Sequence, residues 1–164
     1  MGSVIRKHKL LFAVLYLFAL AAYLLVGFQP SMSSAAEETA QGRLIINSIS
    51  LSTPVQPVEL KDRTLDVPDE IAGSFSEHEN KIFLFGHSAT VFKNLKNVKF
   101  GDIVDYGDHS YKIINIETRK KSEISMLSIL KSEEKDTVVL MTCSGENLGN
   151  GDFSHRLIIT AEAV

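Results

Sequence analysis

Two kinds of hydrophobic pattern divide the chain. From Leu10 to Phe28, nineteen residues run without a charge, LLFAVLYLFALAAYLLVGF. As a helix this run spans about 28 Å at about 1.5 Å per residue, close to the ~30 Å hydrocarbon core of a bilayer. Arg6, Lys7 and Lys9 precede it, and the next charges after it are Glu37 and Glu38. The asymmetry predicts one N-terminal transmembrane helix, with residues 1–9 as a cytoplasmic basic tail and the remainder outside the cell. A cleaved signal peptide competes, with Ser34-Ala35-Ala36 as the cut. The apolar run exceeds the usual signal core of about 7–15 residues, which favours an uncleaved anchor at 10–28. Either reading exports the rest of the chain.

Segment 29–42, QPSMSSAAEETAQG, is small, polar and non-periodic, and reads as a linker. From residue 43 onward the apolar runs are short and rich in β-branched residues. Leu44-Ile45-Ile46, Lys81–Phe85, Ile103–Tyr106, Tyr111–Ile116, Thr137–Met141 and Arg156–Thr160 all predict strands. Gly107-Asp108-His109-Ser110 is a turn cluster that joins two of them as a hairpin. Pro54, Pro57 and Pro68 break the early region into pieces. Helical signal is confined to a turn at Val91–Asn97 and another at Ile124–Leu130. This pattern predicts an all-β barrel or sandwich with short helices over residues 43–164.

Composition narrows the functions. At 164 residues with 45% hydrophobic content, the chain holds one folded domain and is too apolar to be disordered. A single cysteine excludes a disulfide framework within the chain and any multi-cysteine metal site. Beyond the first nine residues, 14 Lys and Arg stand against 20 Asp and Glu. That acidic balance argues against a nucleic-acid partner.

Candidate chemistry gathers at strand ends. Cys143 closes the run Val138–Thr142, where a rigid strand gives way to Ser144-Gly145-Glu146-Asn147. The alternative is a buried structural cysteine. His87 ends Ile82-Phe83-Leu84-Phe85-Gly86-His87, and Gly86 permits a close backbone approach there. His78 and His109 fall in polar segments and read as solvated; His155 competes, because it opens the last strand. Arg156 comes next, and side-chain alternation puts neighbouring strand residues on opposite faces, so His155 and Arg156 cannot share one pocket. A thiol, an imidazole and a guanidinium together suit acyl transfer by a cysteine nucleophile. The imidazole would move protons and the cation would stabilise an oxyanion.

Phe85-Gly86-His87-Ser88-Ala89-Thr90-Val91-Phe92-Lys93-Asn94-Leu95, followed by Phe100-Gly101-Asp102-Ile103-Val104, resembles the histidine region of the sortases. Val139-Leu140-Met141-Thr142-Cys143 resembles their Thr-Cys strand, Arg156–Ala161 their arginine strand, and Arg43–Ile46 with Pro54-Val55 their opening strand. The resemblance runs from about residue 43 to 163. It implies a sortase-like eight-stranded β-barrel and a membrane-anchored cysteine transpeptidase at the bacterial surface. Such an enzyme cleaves a Leu-Pro-x-Thr-Gly-like sorting signal between Thr and Gly through a thioester. It then passes the acyl group to an amine of a cell-wall precursor or a pilin. The resemblance makes Cys143 the nucleophile, His87 the general acid/base and Arg156 the oxyanion- or substrate-orienting cation, with Thr142 assisting. Asn47 stands where the family commonly has proline, and Ser88 where arginine or threonine often follows the histidine. Ser144–Ser154 and Glu117–Asp136 read as loops that would shape substrate choice. Glu59, Asp62 and Asp66 form no specific calcium pattern, so no metal or cofactor is expected.

Two other readings stand beside this one. A hydrolytic cysteine peptidase shares the nucleophile and base but resolves the thioester with water, and a surface-assembly module could keep the barrel without activity. The order histidine-then-cysteine disfavours a papain-like enzyme, and Met141–Gly145 lacks the local signature of a caspase-like one.

Overall fold

The computed structural model describes residues 42–62, 64–149 and 151–164. The expected anchor at 10–28 and most of the linker lie outside the described residues. Among the described residues no helix is long and apolar enough to cross a membrane. Ten strands form: β1 (Gly42–Ile46), β2 (Leu51–Pro57), β3 (Leu60–Lys61), β4 (Thr64–Leu65), β5 (Ala72–His78), β6 (Lys81–Phe85), β7 (Ile103–Tyr106), β8 (His109–Lys120), β9 (Thr137–Gly149) and β10 (Asp152–Ala163). Eight of them close a barrel in the order β1-β2-β5-β6-β9-β10-β8-β7, and β3 and β4 form a separate two-stranded ribbon. The expected eight-stranded all-β barrel is thus observed. Its seam is the antiparallel pair β1–β7, with Leu44 opposite Tyr106. Two contacts are parallel, β2 with β5 and β6 with β9. Parallel neighbours need crossover connections, and the long segment from Gly86 to Asp136, carrying β7 and β8, supplies the second.

Alternation along the strands divides the apolar residues into two clusters. Leu84, Val138, Leu140, Leu157, Ile159 and Ala161 point inward and join Leu44, Ile46, Val55, Val104 and Ile113 in the barrel core. Phe92 and Leu95 plug one side of that core from the segment after β6. The alternate positions of the same strands, Phe83, Phe85, Val139 and Ile158, are buried too, but on the outer face. Strands buried on both faces read as continuous apolar runs, which is why β6 and the first part of β9 stand out in the sequence.

The outer cluster is covered from two directions. Val58, Leu65 and Val67, around the β3–β4 ribbon, pack against it. So do Ile124, Met126, Ile129 and Leu130 from a short helix, α1 (Met126–Leu130), and the residue before its cap. Met126, Ile129 and Leu130 fall on one side of α1 by their i, i+3, i+4 spacing, leaving Leu127 outward and 83% exposed.

Several expectations need correction. β2 runs unbroken through Pro54 to Pro57, where the prolines predict short pieces. Pro54 lies opposite Arg43 of β1, but pairing with β5 begins only at Val55, so no sheet partner on that side needs the missing N–H. β5 has no counterpart among the expected strands, because Ala72-Gly73-Ser74-Phe75-Ser76 carries little apolar bulk. His109 and Ser110 belong to β8, not to the turn; the connection is the two residues Gly107-Asp108, with Gly107 at φ +59. Glycine at the first central position is the type II′ preference. The expected loop Ser144–Ser154 is largely strand, since β9 runs on to Gly149 and β10 starts at Asp152. Likewise Glu117–Lys120 extend β8 and leave a shorter connection before β9.

Candidate active site

Cys143 and Arg156 stand on the outer face at one end of the barrel, where β6 ends just before His87. Cys143 of β9 is directly opposite Arg156 of β10 in an antiparallel register, so the two side chains leave the same face side by side. The last pair between β6 and β9 is Phe85 with Met141. His87 lies two residues past Phe85, as Cys143 lies two past Met141, so the backbone at His87 follows β6 at the end of the barrel where Cys143 stands. His155 is paired with Ser144, on the opposite face from Cys143. Its Nδ1 lies 2.7 Å from the Ser154 hydroxyl, which also accepts the Glu146 N–H at 2.9 Å.

One buried hydrogen bond ties His87 to the cysteine strand. The Thr142 hydroxyl, pointing inward, donates to the Gly86 carbonyl at 2.7 Å. The residue before the thiol thereby holds the residue before the imidazole. Past His87 the chain turns at once: its carbonyl accepts N–H groups from Phe92 at 3.0 Å and Thr90 at 3.4 Å. The turn packs Val91 and Phe92 on Gly86 so closely that a Cβ there would come 2.5 Å from Val91 Cγ1. Glycine is therefore dictated by space. Thr90 in turn donates from its hydroxyl to the Asp69 carbonyl at 2.7 Å, and the Asp69 carboxylate sits 3.8 Å from His87 Nε2. Asp69 also lines a cleft of about 750 Å³ beneath the β3–β4 ribbon.

Arg156 is not a solvated surface residue; its side chain is 15% exposed. Nη1 donates to the carbonyls of Phe153 at 3.0 Å and His155 at 2.9 Å, and Nη2 reaches Asp152 Oδ1 at 3.3 Å. Of the five guanidinium protons, one on Nη2 and the one on Nε remain for another acceptor. Asp152 also accepts from Lys121 Nζ at 2.8 Å and from the Phe153 N–H at 2.9 Å. The Lys121 bond is the main reason its carboxyl is held at about 2, below the ordinary 3.8, with the Phe153 N–H and Arg156 adding to it.

Below this polar row the outer face is apolar. Phe85, Met141 and Ile158 are cross-strand neighbours in the next row, and Phe83 stacks on Phe85 with ring centroids 5.3 Å apart. The result is an apolar floor leading up to the row that carries Cys143 and Arg156. A family model described as "Sortase domain" matches residues 44–164. The chain belongs to the sortase family. Sortases are cysteine transpeptidases, and the barrel described above carries an enzyme of that type. Among solved structures, sortase C-1 from Actinomyces oris superposes with a TM-score of 0.60 at 25% identity, over 83% of this chain and 82% of that one. Listeria monocytogenes sortase A gives a TM-score of 0.60 at 17% identity, over 77% of this chain and 88% of that one. Clostridium perfringens sortase C, solved with the C-terminal cell wall sorting motif, gives 0.59 at 23% identity, over 76% and 70%. A search of curated proteins finds no match.

The close approach expected at Gly86 is observed, but the sequence pattern of this sortase domain does not mark Asp69 or the Lys121–Asp152–Arg156 chain. Asp152 and Lys121 sit where loops are expected, and only the extension of β9 and β10 puts the acid beside the arginine. Among the described residues no group of three or more His, Cys, Asp or Glu converges as a metal site.

Proposed function

We propose that this sortase cleaves a Leu-Pro-x-Thr-Gly-like sorting signal between Thr and Gly and transfers the acyl group to an amine of a cell-wall precursor or a pilin. Cys143 is its nucleophile, His87 its general acid/base and Arg156 its oxyanion- or substrate-orienting cation. What supports this reading is the direct pairing of Cys143 with Arg156 on one face, together with the bond from the residue before Cys143 to the residue before His87.

In this scheme the Cys143 thiolate adds to the threonine carbonyl, and the two free guanidinium protons of Arg156 face the developing oxyanion. The tetrahedral adduct collapses by breaking the C–N bond, and His87 gives its proton to the departing glycine amine. A thioester on Cys143 remains. The incoming amine attacks it, His87 takes the amine proton, and the thiolate leaves. The apolar floor of Phe85, Met141 and Ile158 suits the leucine and proline of the signal. Residues 10–28 anchor the enzyme in the cell membrane as a single pass, with the catalytic domain outside.

Mass spectrometry of the full chain in detergent, incubated with Leu-Pro-x-Thr-Gly-like peptides, tests the reading. A covalent adduct on Cys143 that is absent in Cys143→Ala and resolves into a new amide when triglycine is added supports it. Hydrolysed peptide alone, with or without triglycine, would replace transfer by hydrolysis. Membrane extraction of the intact chain, beginning upstream of residue 10, checks the anchor.

A further inference from the structure

The polar row does not end at Arg156. Its partner on the other side is Arg119 of β8, directly opposite in the antiparallel register. One row therefore crosses three adjacent strands as Cys143, Arg156, Arg119, all leaving the same face. Two like charges opposite each other on neighbouring strands repel, and the arrangement persists because each has its own carboxylate. Arg156 has Asp152; Arg119 has Glu117, whose Oε2 accepts from Nε and lies 2.9 Å from Nη2 as well. Glu117 itself stands opposite Ile158, so it closes the side of the apolar floor.

The charges in this corner do not balance. Among the described residues, Arg156, Arg119 and Lys121 have two carboxylate partners, Asp152 and Glu117, and the neighbouring Lys120 is matched by Glu123. Glu117 engages one edge of the Arg119 fork through a single oxygen, and half of the Arg119 side chain is exposed. The Nη1 edge is left to meet a second carboxylate. With strands about 4.8 Å apart, Arg119 Cα stands about 10 Å from Cys143 Cα, across the row. The combined reach of an arginine and a glutamate side chain covers that span from a peptide backbone lying above Cys143.

We infer that Arg119, with Glu117 as its resident counter-ion, is a specificity-determining subsite for a carboxylate on the residue preceding the acylated threonine. The inference rests on the peptide-transfer reading above and deepens it by assigning a charge preference to the variable position x. A carboxylate on the acceptor amine offers the same chemistry, so the test separates the two.

The full chain in detergent is assayed for kcat/KM with Leu-Pro-Glu-Thr-Gly and Leu-Pro-Gln-Thr-Gly peptides, using triglycine amide as a fixed amine. The expected preference for glutamate is about fivefold, the range of an exposed ion pair. It should fall toward one in Arg119→Gln, persist in Arg119→Lys, and invert in Arg119→Glu when Leu-Pro-Lys-Thr-Gly is offered. Thermal unfolding of each variant confirms the fold. An equal preference in wild type and Arg119→Gln overturns the inference, as does no preference in wild type. In a second arm triglycine replaces triglycine amide, and discrimination that instead tracks this carboxylate overturns it too. Turnover of the glutamine peptide without discrimination leaves the transfer reading standing, whereas no adduct on Cys143 with any peptide removes both.

Discussion

Replacing Thr142 by valine keeps the side-chain shape and deletes one hydroxyl. That hydroxyl is the donor to the Gly86 carbonyl, in a residue 5% exposed. A buried carbonyl left without its partner costs about 1–3 kcal/mol. Domains of this size hold about 5–15 kcal/mol, so the variant should fold but unfold at lower urea. The larger effect should be on turnover. The bond fixes Gly86, the residue before the proposed acid/base His87; a displacement of about 1 Å at a reacting group can cost about 100-fold. The expected result for Thr142→Val is a fall in kcat/KM of about 10- to 100-fold. Thr142→Ser, which retains the donor and loses a methyl, should lose about 1 kcal/mol of stability and little activity. Urea unfolding and transpeptidation kinetics on both variants separate the packing role from the positioning role. Wild-type turnover in the valine variant, or equal damage in both, would refute the claim that this hydroxyl positions the imidazole.

Arg156→Lys should lose most of its turnover while remaining folded, because an ammonium cannot span two carbonyls and a carboxylate and still present two protons; steady-state kinetics check this. Gly86→Ala should destabilise by about 1–3 kcal/mol and impair activity, since its Cβ would meet Val91 Cγ1 at 2.5 Å; the companion Val91→Ala should recover part of the loss in urea unfolding. Asp152 stabilises the folded state fully above its unfolded pKa near 3.8, and that contribution disappears as pH falls toward about 2. In Asp152→Asn the stability-versus-pH curve between those values should flatten, and KM should rise as Arg156 loses its carboxylate. Unaltered acid titration of the variant would contradict the Lys121–Asp152 contact.

The strands with a strong apolar run are the legible ones. Lys81–Phe85 and Ile103–Tyr106 begin and end where the apolar pattern places them, the first because it is buried on both faces, the second because Val104 and Tyr106 fill the core from alternate positions. β5 and the far ends of β8, β9 and β10 are not legible. β5 opens with Ala72, Gly73 and Ser74, small because they are buried against close neighbours such as Phe85, while the far ends of the other three are largely polar and exposed; all of their pairing is imposed by neighbours distant in sequence. Alternation alone separates His155 from Arg156, and the register agrees. Juxtaposition is what a linear pattern cannot hold. That Arg119 stands opposite Arg156, and that Lys121 reaches Asp152, depends on how far two strands continue past their apolar centres.

β9 is clasped on both sides, by β6 running alongside and by β10 running against it, and its side chains alternate between interior and exterior without a bulge from Thr137 to Cys143. Inserting or deleting a single residue in that stretch would exchange the two sets: the sulfur would turn into the greasy interior and a hydroxyl would take its place outside. Length variation is therefore closed to this strand and open to the hairpin tip beyond it. Engineering of altered substrate range has its free variable there and in the connection after β8, while the stretch up to the sulfur behaves as a fixed ruler.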